Sequence, residues 1–188
     1  MKPQEKEELV QQTQQYVGEW GLNHTRRLLS LIDIIGEGLE YDRQIVWVAA
    51  HLHDWGAYSP WAQPGVDHAQ RSGEVARDYL RGRGFAHESL ETIVTCIRTH
   101  HQGVPDRPVE ALLLSDADAL DFLGVIGVLR DFSKKPKALR EAYDTTRKRR
   151  AKLPGQLCLE KSRQLAAQRI REMDDLYARF EGETFGHF

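Results

Sequence analysis

Four side chains have the types and the order to hold a divalent cation: His24, the adjacent pair His53-Asp54, and Asp118. Such an ion needs several deprotonated nitrogen and oxygen donors, and two imidazoles with two carboxylates suit Mn²⁺, Fe²⁺, Mg²⁺ or Zn²⁺. His53 and Asp54 close an apolar run that begins at Val46. Adjacent helical residues point about 100° apart, so the pair can meet one ion only near a helix terminus. Singly, each residue has an ordinary reading. His24 alone is a core or surface histidine, His51 reads as structural, and Asp118 is a cap or a solvated charge. Only the ordered set argues for metal.

Other residues could share that chemistry. His68 follows Asp67 at an expected helix start, and His100 ends the apolar stretch Ile93–Ile97. His68 and His100 are further imidazoles that could bind an ion or move a proton, and Asp54 could take a proton from water. Arg27 and Arg98 are candidate cations for an anionic ligand. Residues 134–152 hold nine Lys and Arg against Glu141 and Asp144. That stretch reads either as a solvated helix face or as a lid over a polyphosphate tail. His101 reads as a residue behind the site or on the surface. Cys96 and His100 lie four apart, a spacing shared by metal sites and ordinary core faces. Gly82-Arg83-Gly84 is a turn and not a phosphate loop, since no Gly-Lys-Ser/Thr follows.

The elements that must position these groups are helices. Leu28, Leu31, Ile32 and Ile35 recur at helical intervals and stop at Gly36. Asp42 is a fitting N-cap for a second helix that Gly56 and Pro60 end. Asp67, or Pro64-Gly65, opens a third that runs to Leu80. Further helices are expected at about 87–100, 108–121, 122–131, 136–151 and 157–181. The Gln-rich opening reads as a polar helix face. No segment alternates with period two. An all-α, single-domain bundle over 1–188 is expected, with a metal-site core over about 20–130 and C-terminal helices over about 131–188.

Length and composition set the outer limits. The chain has 188 residues, 29% charged and 40% hydrophobic, with a formal net charge of −2. A near-neutral balance disfavours a basic nucleic-acid coat or a polybasic membrane clamp. Two cysteines make neither a disulfide framework nor a Cys-rich zinc site. No apolar run approaches the roughly 20 residues that span a bilayer. The polar, acidic opening is no secretory signal, so a soluble cytoplasmic protein is expected.

Taken in order, His24 … His53-Asp54 … Asp118 resembles the HD-domain superfamily of metal-dependent phosphohydrolases. Asp67-His68-Ala69, Ile97-Arg98-Thr99-His100, Asp116-Ala-Asp118-Ala-Leu-Asp121 and the closing helix through Leu165–Arg169 add to the likeness. They are similar to small bacterial HD hydrolases, some of them nucleotide pyrophosphohydrolases. The resemblance implies His24, His53, Asp54 and Asp118 as ligands of one divalent ion, with His68 and His100 available for a second ion, for phosphoryl oxygens or for the leaving group, and Arg27 and Arg98 for phosphoryl charge. It implies a small phosphorylated substrate, a nucleotide first, with no membrane partner, nucleic acid disfavoured and a homodimer left open. Two departures stand out. Many HD enzymes carry a Glu shortly after the HD pair, where this chain has Trp55-Gly-Ala-Tyr58, and many carry Arg or Lys where this chain has Ala119. These departures keep a second reading open, a non-catalytic HD-fold module that binds a nucleotide or a protein partner. His100-His101 with Gly103-Val104-Pro105 lacks the spacing, the acid and the Tyr of the variant that cleaves cyclic di-guanylate.

Overall fold

Side-chain caps open two of the helices that carry the site. Asp42 accepts the backbone N–H groups of Gln44 (2.8 Å) and Ile45 (3.2 Å), and Asp67 accepts those of Ala69 (3.0 Å) and Gln70 (3.1 Å). Each satisfies donors that a helix start leaves free. The computed structural model describes residues 1–188 as eight α-helices and no strand. They are α1 (Pro3–Ile35), α2 (Arg43–Leu52), α3 (His68–Leu80), α4 (His87–Arg98), α5 (Val109–Asp121), α6 (Val125–Lys134), α7 (Leu139–Lys152) and α8 (Glu160–Thr184). The all-α, single-domain reading of the sequence holds.

Several helix boundaries differ from the sequence expectation, with α7 and α8 each beginning three residues late. The second helix stops at Leu52 instead of reaching Gly56, and a 3₁₀ turn at Trp55–Ala57 follows. The fourth stops at Arg98, so His100 lies beyond it in a turn. The sixth begins at Val125, three residues later than expected, because Gly124 adopts φ 88 and breaks the chain direction after α5. A second glycine effect is internal: α1 is interrupted at Gly18, with φ 69 and ψ 179.

The core lies where α1, α2, α4 and α5 meet. Leu28, Ile35, Val48, Leu52, Ile93, Ile97, Leu113 and Leu120 are all essentially buried there. Each buried aliphatic side chain of this size contributes about 1.5–3 kcal/mol through apolar transfer. Trp55, immediately after Asp54, is 1% exposed and packs edge-on to Tyr16 (4.8 Å) and Tyr79 (5.3 Å). Its indole N–H donates to Thr13 at 3.3 Å. The 3₁₀ turn is thus anchored to α1 and α3, and with it the position of Asp54. Gly56 presses against α3: a Cβ there would lie 2.6 Å from the His68 carbonyl oxygen. Its N–H donates to Ser72 Oγ at 2.8 Å. That close approach brings His68 alongside Asp54.

The C-terminal helices are tied to α5 by a buried carboxylate. Asp116 accepts the N–H groups of Cys158 (3.0 Å) and Leu159 (2.8 Å) at the start of α8. Arg150 forks onto Asp174 (2.9 and 2.7 Å), joining α7 to α8. Replacing Asp116 with Ala leaves the α8 start without its acceptor. We expect Asp116→Ala to lower stability by roughly 1–3 kcal/mol, the cost of stranding buried polar groups. Urea denaturation followed by circular dichroism checks it, and an unchanged midpoint would contradict it.

Candidate metal centre

A helix end leaves its last carbonyls unpaired, and the site histidines use them. His53, the C-cap of α2, places Nδ1 2.8 Å from the Ala50 carbonyl oxygen. His100, just beyond α4, places Nδ1 2.7 Å from the Ile97 carbonyl oxygen. In both, a carbonyl three residues back accepts the Nδ1–H, which leaves a lone pair on Nε2. His24, on α1, reaches the same state by a longer route: its Nδ1 lies 2.7 Å from Asp121 Oδ2.

The three Nε2 atoms then face carboxylate oxygens. His24 Nε2 lies 3.1 Å from Asp118 Oδ1, His53 Nε2 3.4 Å from Asp54 Oδ2, and His100 Nε2 4.0 Å from Asp54 Oδ1. Lone pair against carboxylate is repulsive unless something positive lies between them. Neither His24 Nε2 nor His53 Nε2 has a well-formed hydrogen bond, although both are buried. Orphaned buried acceptors of this kind fit a cation. His24, His53 and Asp118 have ligand atoms within 4.8 Å of one another; so do His53, Asp54 and His100, and so do His68, His100 and His101. The residues present therefore fit one divalent ion, with the groups for a second beside it.

Protonation equilibria show the same demand for positive charge. Burial works against a charged His53, but Asp54 and then Asp118 outweigh it and raise its pKa to about 9. Burial, together with His53, pushes His100 down to about 4. Burial opposes a charged Asp54 also, yet His53, His100 and His24 hold its carboxyl well below the ordinary range. One positive charge shared among these carboxylates is the favoured arrangement even for a proton.

Asp54, His68, His100 and Asp118 open onto one pocket of about 750 Å³. His68 is 40% exposed, with Nε2 3.6 Å from Asp54 Oδ1. His101, read from sequence as peripheral, stacks on His68 at 5.1 Å and lies 3.5 Å from His100 Nε2. Its adjacency to His100 was the available signal. The two candidate substrate arginines do not line this pocket. Arg27 forks onto Asp121 at 2.6 and 3.0 Å, and Arg98 lies over Gly73 of α3. The structure thus does not bring to this pocket the two guanidiniums expected to meet substrate. The cations that do line the pocket are Lys134, Arg149 and Lys152. Cys96 is buried in the core, where burial raises its pKa. His51 is buried against Trp47, and burial pushes it down to about 4.

Asp121 is the residue whose role sequence reasoning missed. It is 1% exposed and takes His24 Nδ1, Arg27 and Arg130 together. It orients a site imidazole from behind, as a carboxylate behind a ligating histidine does.

A predicted HD superfamily hydrolase from an uncultured Thermotogales bacterium is 24% identical, covering 96% of this chain and 92% of its own, with a TM-score of 0.69. An HD-superfamily hydrolase from Bacillus thuringiensis is 21% identical, covering 97% and 98%, with a TM-score of 0.71. YpgQ of Bacillus subtilis, in complex with ADP, is 21% identical, covering 95% and 96%, with a TM-score of 0.68. No curated protein matches this sequence. These likenesses establish a shared fold. The HD domain profile matches residues 21–123, more than half of the sequence and the stretch that holds His24, His53, Asp54 and Asp118, so the chain belongs to the HD-domain family.

Proposed function

We propose that this protein is a metal-dependent phosphohydrolase acting on a small phosphorylated metabolite, a nucleotide first, in the manner of the nucleotide pyrophosphohydrolases of its family. The observation that carries this reading is the set of three imidazoles locked with Nε2 toward Asp54 and Asp118, beside a pocket with cations on its rim. The similar fold of YpgQ in complex with ADP supports a nucleotide. His24, His53, Asp54 and Asp118 would hold the first ion, and His68 and His100, joined by His101, a second. Residues of about 20–130 would carry the chemistry, with the helices after 131 covering the pocket.

A divalent ion bound there supplies Lewis acidity, lowering the pKa of water and drawing charge from a phosphoryl oxygen. The chain's own groups would do the rest. Asp54 has oxygens near three imidazoles and is placed to accept a proton from attacking water. His68, partly exposed on the pocket, is placed to return a proton to the leaving oxygen. His100, with Nδ1 fixed on Ile97, offers Nε2 to a phosphoryl oxygen or a second ion. No carboxylate stands directly after the His53-Asp54 pair, where Trp55-Gly-Ala-Tyr58 runs, so the proton handling is assigned to Asp54 and these histidines.

Three outcomes are expected. Titrated with Mn²⁺, the protein takes up one ion, or two where the second histidine set is filled. His53→Ala abolishes uptake at the first site, and Asp121→Asn weakens it by roughly 10–100-fold through loss of the carboxylate behind His24. Elemental analysis and calorimetry measure both, and no uptake by the wild type would overturn the metal reading.

With Mn²⁺ present, phosphate or pyrophosphate is released from at least one nucleotide in a panel, and Asp54→Ala abolishes the release. A loaded protein that binds nucleotides but releases nothing would instead establish the non-catalytic module.

His68→Ala and His100→Ala keep the first ion yet lose about 10²-fold in turnover, the scale of a positioned acid–base group. Metal content, melting temperature and turnover are read on the same preparations. Unchanged turnover in both folded variants removes these histidines from the mechanism.

A further inference from the structure

The charges on the C-terminal wall of the pocket do not balance. Phe122, the residue after Asp121, has Arg149 at 4.0 Å, Arg130 at 4.4 Å and Lys134 at 5.7 Å from its ring centroid. Behind that ring stand two carboxylates. Asp121 already binds both Arg27 and Arg130, and Asp131 holds Arg149 at 2.6 Å. Lys134 has no carboxylate within ion-pair distance. Desolvation, then Arg130 and Arg149, lower its pKa, and Asp131 and Asp54 offset them only in part. Lys152, at the end of α7, is likewise without a carboxylate partner. Both lysines line the pocket that holds Asp54, His68 and Asp118.

An exposed lysine on a helix face needs no partner, because water surrounds it. Lys134 and Lys152 are exposed too, but both line one concave site, which Arg149 shares. Crowded like charges repel one another until an anion arrives. On α5, Ala119 offers no charge beside Asp118, so positive charge comes to the pocket from α6 and α7. An ammonium suits this task as a mobile point charge for phosphate oxygens.

We infer that Lys134 and Lys152 form an anion subsite for a second phosphate group, so the ligand of this pocket is an oligophosphate and not a simple phosphate monoester. The inference rests on the phosphohydrolase reading only in saying that the neighbouring phosphate is the one cleaved. Arg149, held by Asp131 and laid on Phe122, lines the same pocket. The ligand's chain of phosphates could belong to a nucleotide or be inorganic, and the shared chemistry is the same.

The test is made without metal, in chelator at low ionic strength, so that it is independent of turnover. Inorganic triphosphate and orthophosphate are titrated calorimetrically into the wild type and into Lys134→Gln, Lys152→Gln and Lys148→Gln. Lys148 is an exposed α7 residue outside the pocket and controls for the same change in charge. Triphosphate should bind at least tenfold tighter than orthophosphate. Each pocket substitution should weaken triphosphate by roughly tenfold, the loss of one charge-assisted contact, while Lys148→Gln changes it less than twofold. Melting curves on the same samples establish that each variant is folded. Tighter binding of ATP than of inorganic triphosphate assigns the phosphates to a nucleotide, equal binding assigns them to an inorganic chain, and both uphold the subsite. Triphosphate binding no tighter than orthophosphate overturns it, as does an equal loss in Lys148→Gln. Failure of the phosphohydrolase reading shows separately, as no metal-dependent release from any nucleotide.

Discussion

Three carboxylates on one buried helix impose the constraint that organises this molecule. Asp116, Asp118 and Asp121 lie on α5, which is buried along most of its length, and none is more than 9% exposed. A buried carboxylate is costly unless it is paired and hydrogen-bonded. Each therefore captures another part of the chain. Asp116 takes the N-terminal amides of α8, Asp121 takes His24, Arg27 and Arg130, and Asp118 faces His24 Nε2 on the pocket side. The same requirement that closes the fold through Asp116 and Asp121 leaves a demand for a cation at Asp118.

The imidazoles answer that demand through secondary structure. Ending α2 at Leu52 and α4 at Arg98 frees carbonyls that a longer helix would consume. Ala50 and Ile97 spend them on Nδ1 of His53 and His100. Tautomer and ring direction are thus set by where two helices stop. Trp55 and Gly56 then hold the intervening turn against α1 and α3, one by filling space and the other by yielding it.

Arginine and lysine divide the positive charge by their chemistry. The planar guanidiniums of Arg27, Arg130 and Arg149 are consumed in forks and short pairs with Asp121 and Asp131, or laid against Phe122. Their rigid donor geometry suits buried pairing. The ammonium groups of Lys134 and Lys152 remain at the pocket, where a flexible stem can follow a ligand.

Much of this was legible in the amino-acid order. Periodicity predicted an all-helical chain, and Asp42 and Asp67 stand at the helix starts they marked, because an N-cap acts through amides two and three residues on. The set His24, His53, Asp54 and Asp118 carried the family resemblance, since ligands on helices keep a chain order that a reader can match. What sequence could not decide was every interaction between distant residues. Arg27 and Arg98 read as free cations, yet Arg27 meets a carboxylate 94 residues away, and Arg98 is drawn over Gly73. Asp121 looked like one acid among several until α1 and α6 converged on it. His101 joined the histidine cluster only because α4 ends early and turns it beside His68. Local rules reach about one helical turn along the chain, and they determined the elements and the ligand order. Which charges are compensated and which stay open to a ligand depends on neighbours far apart in sequence, and only the tertiary structure decided that.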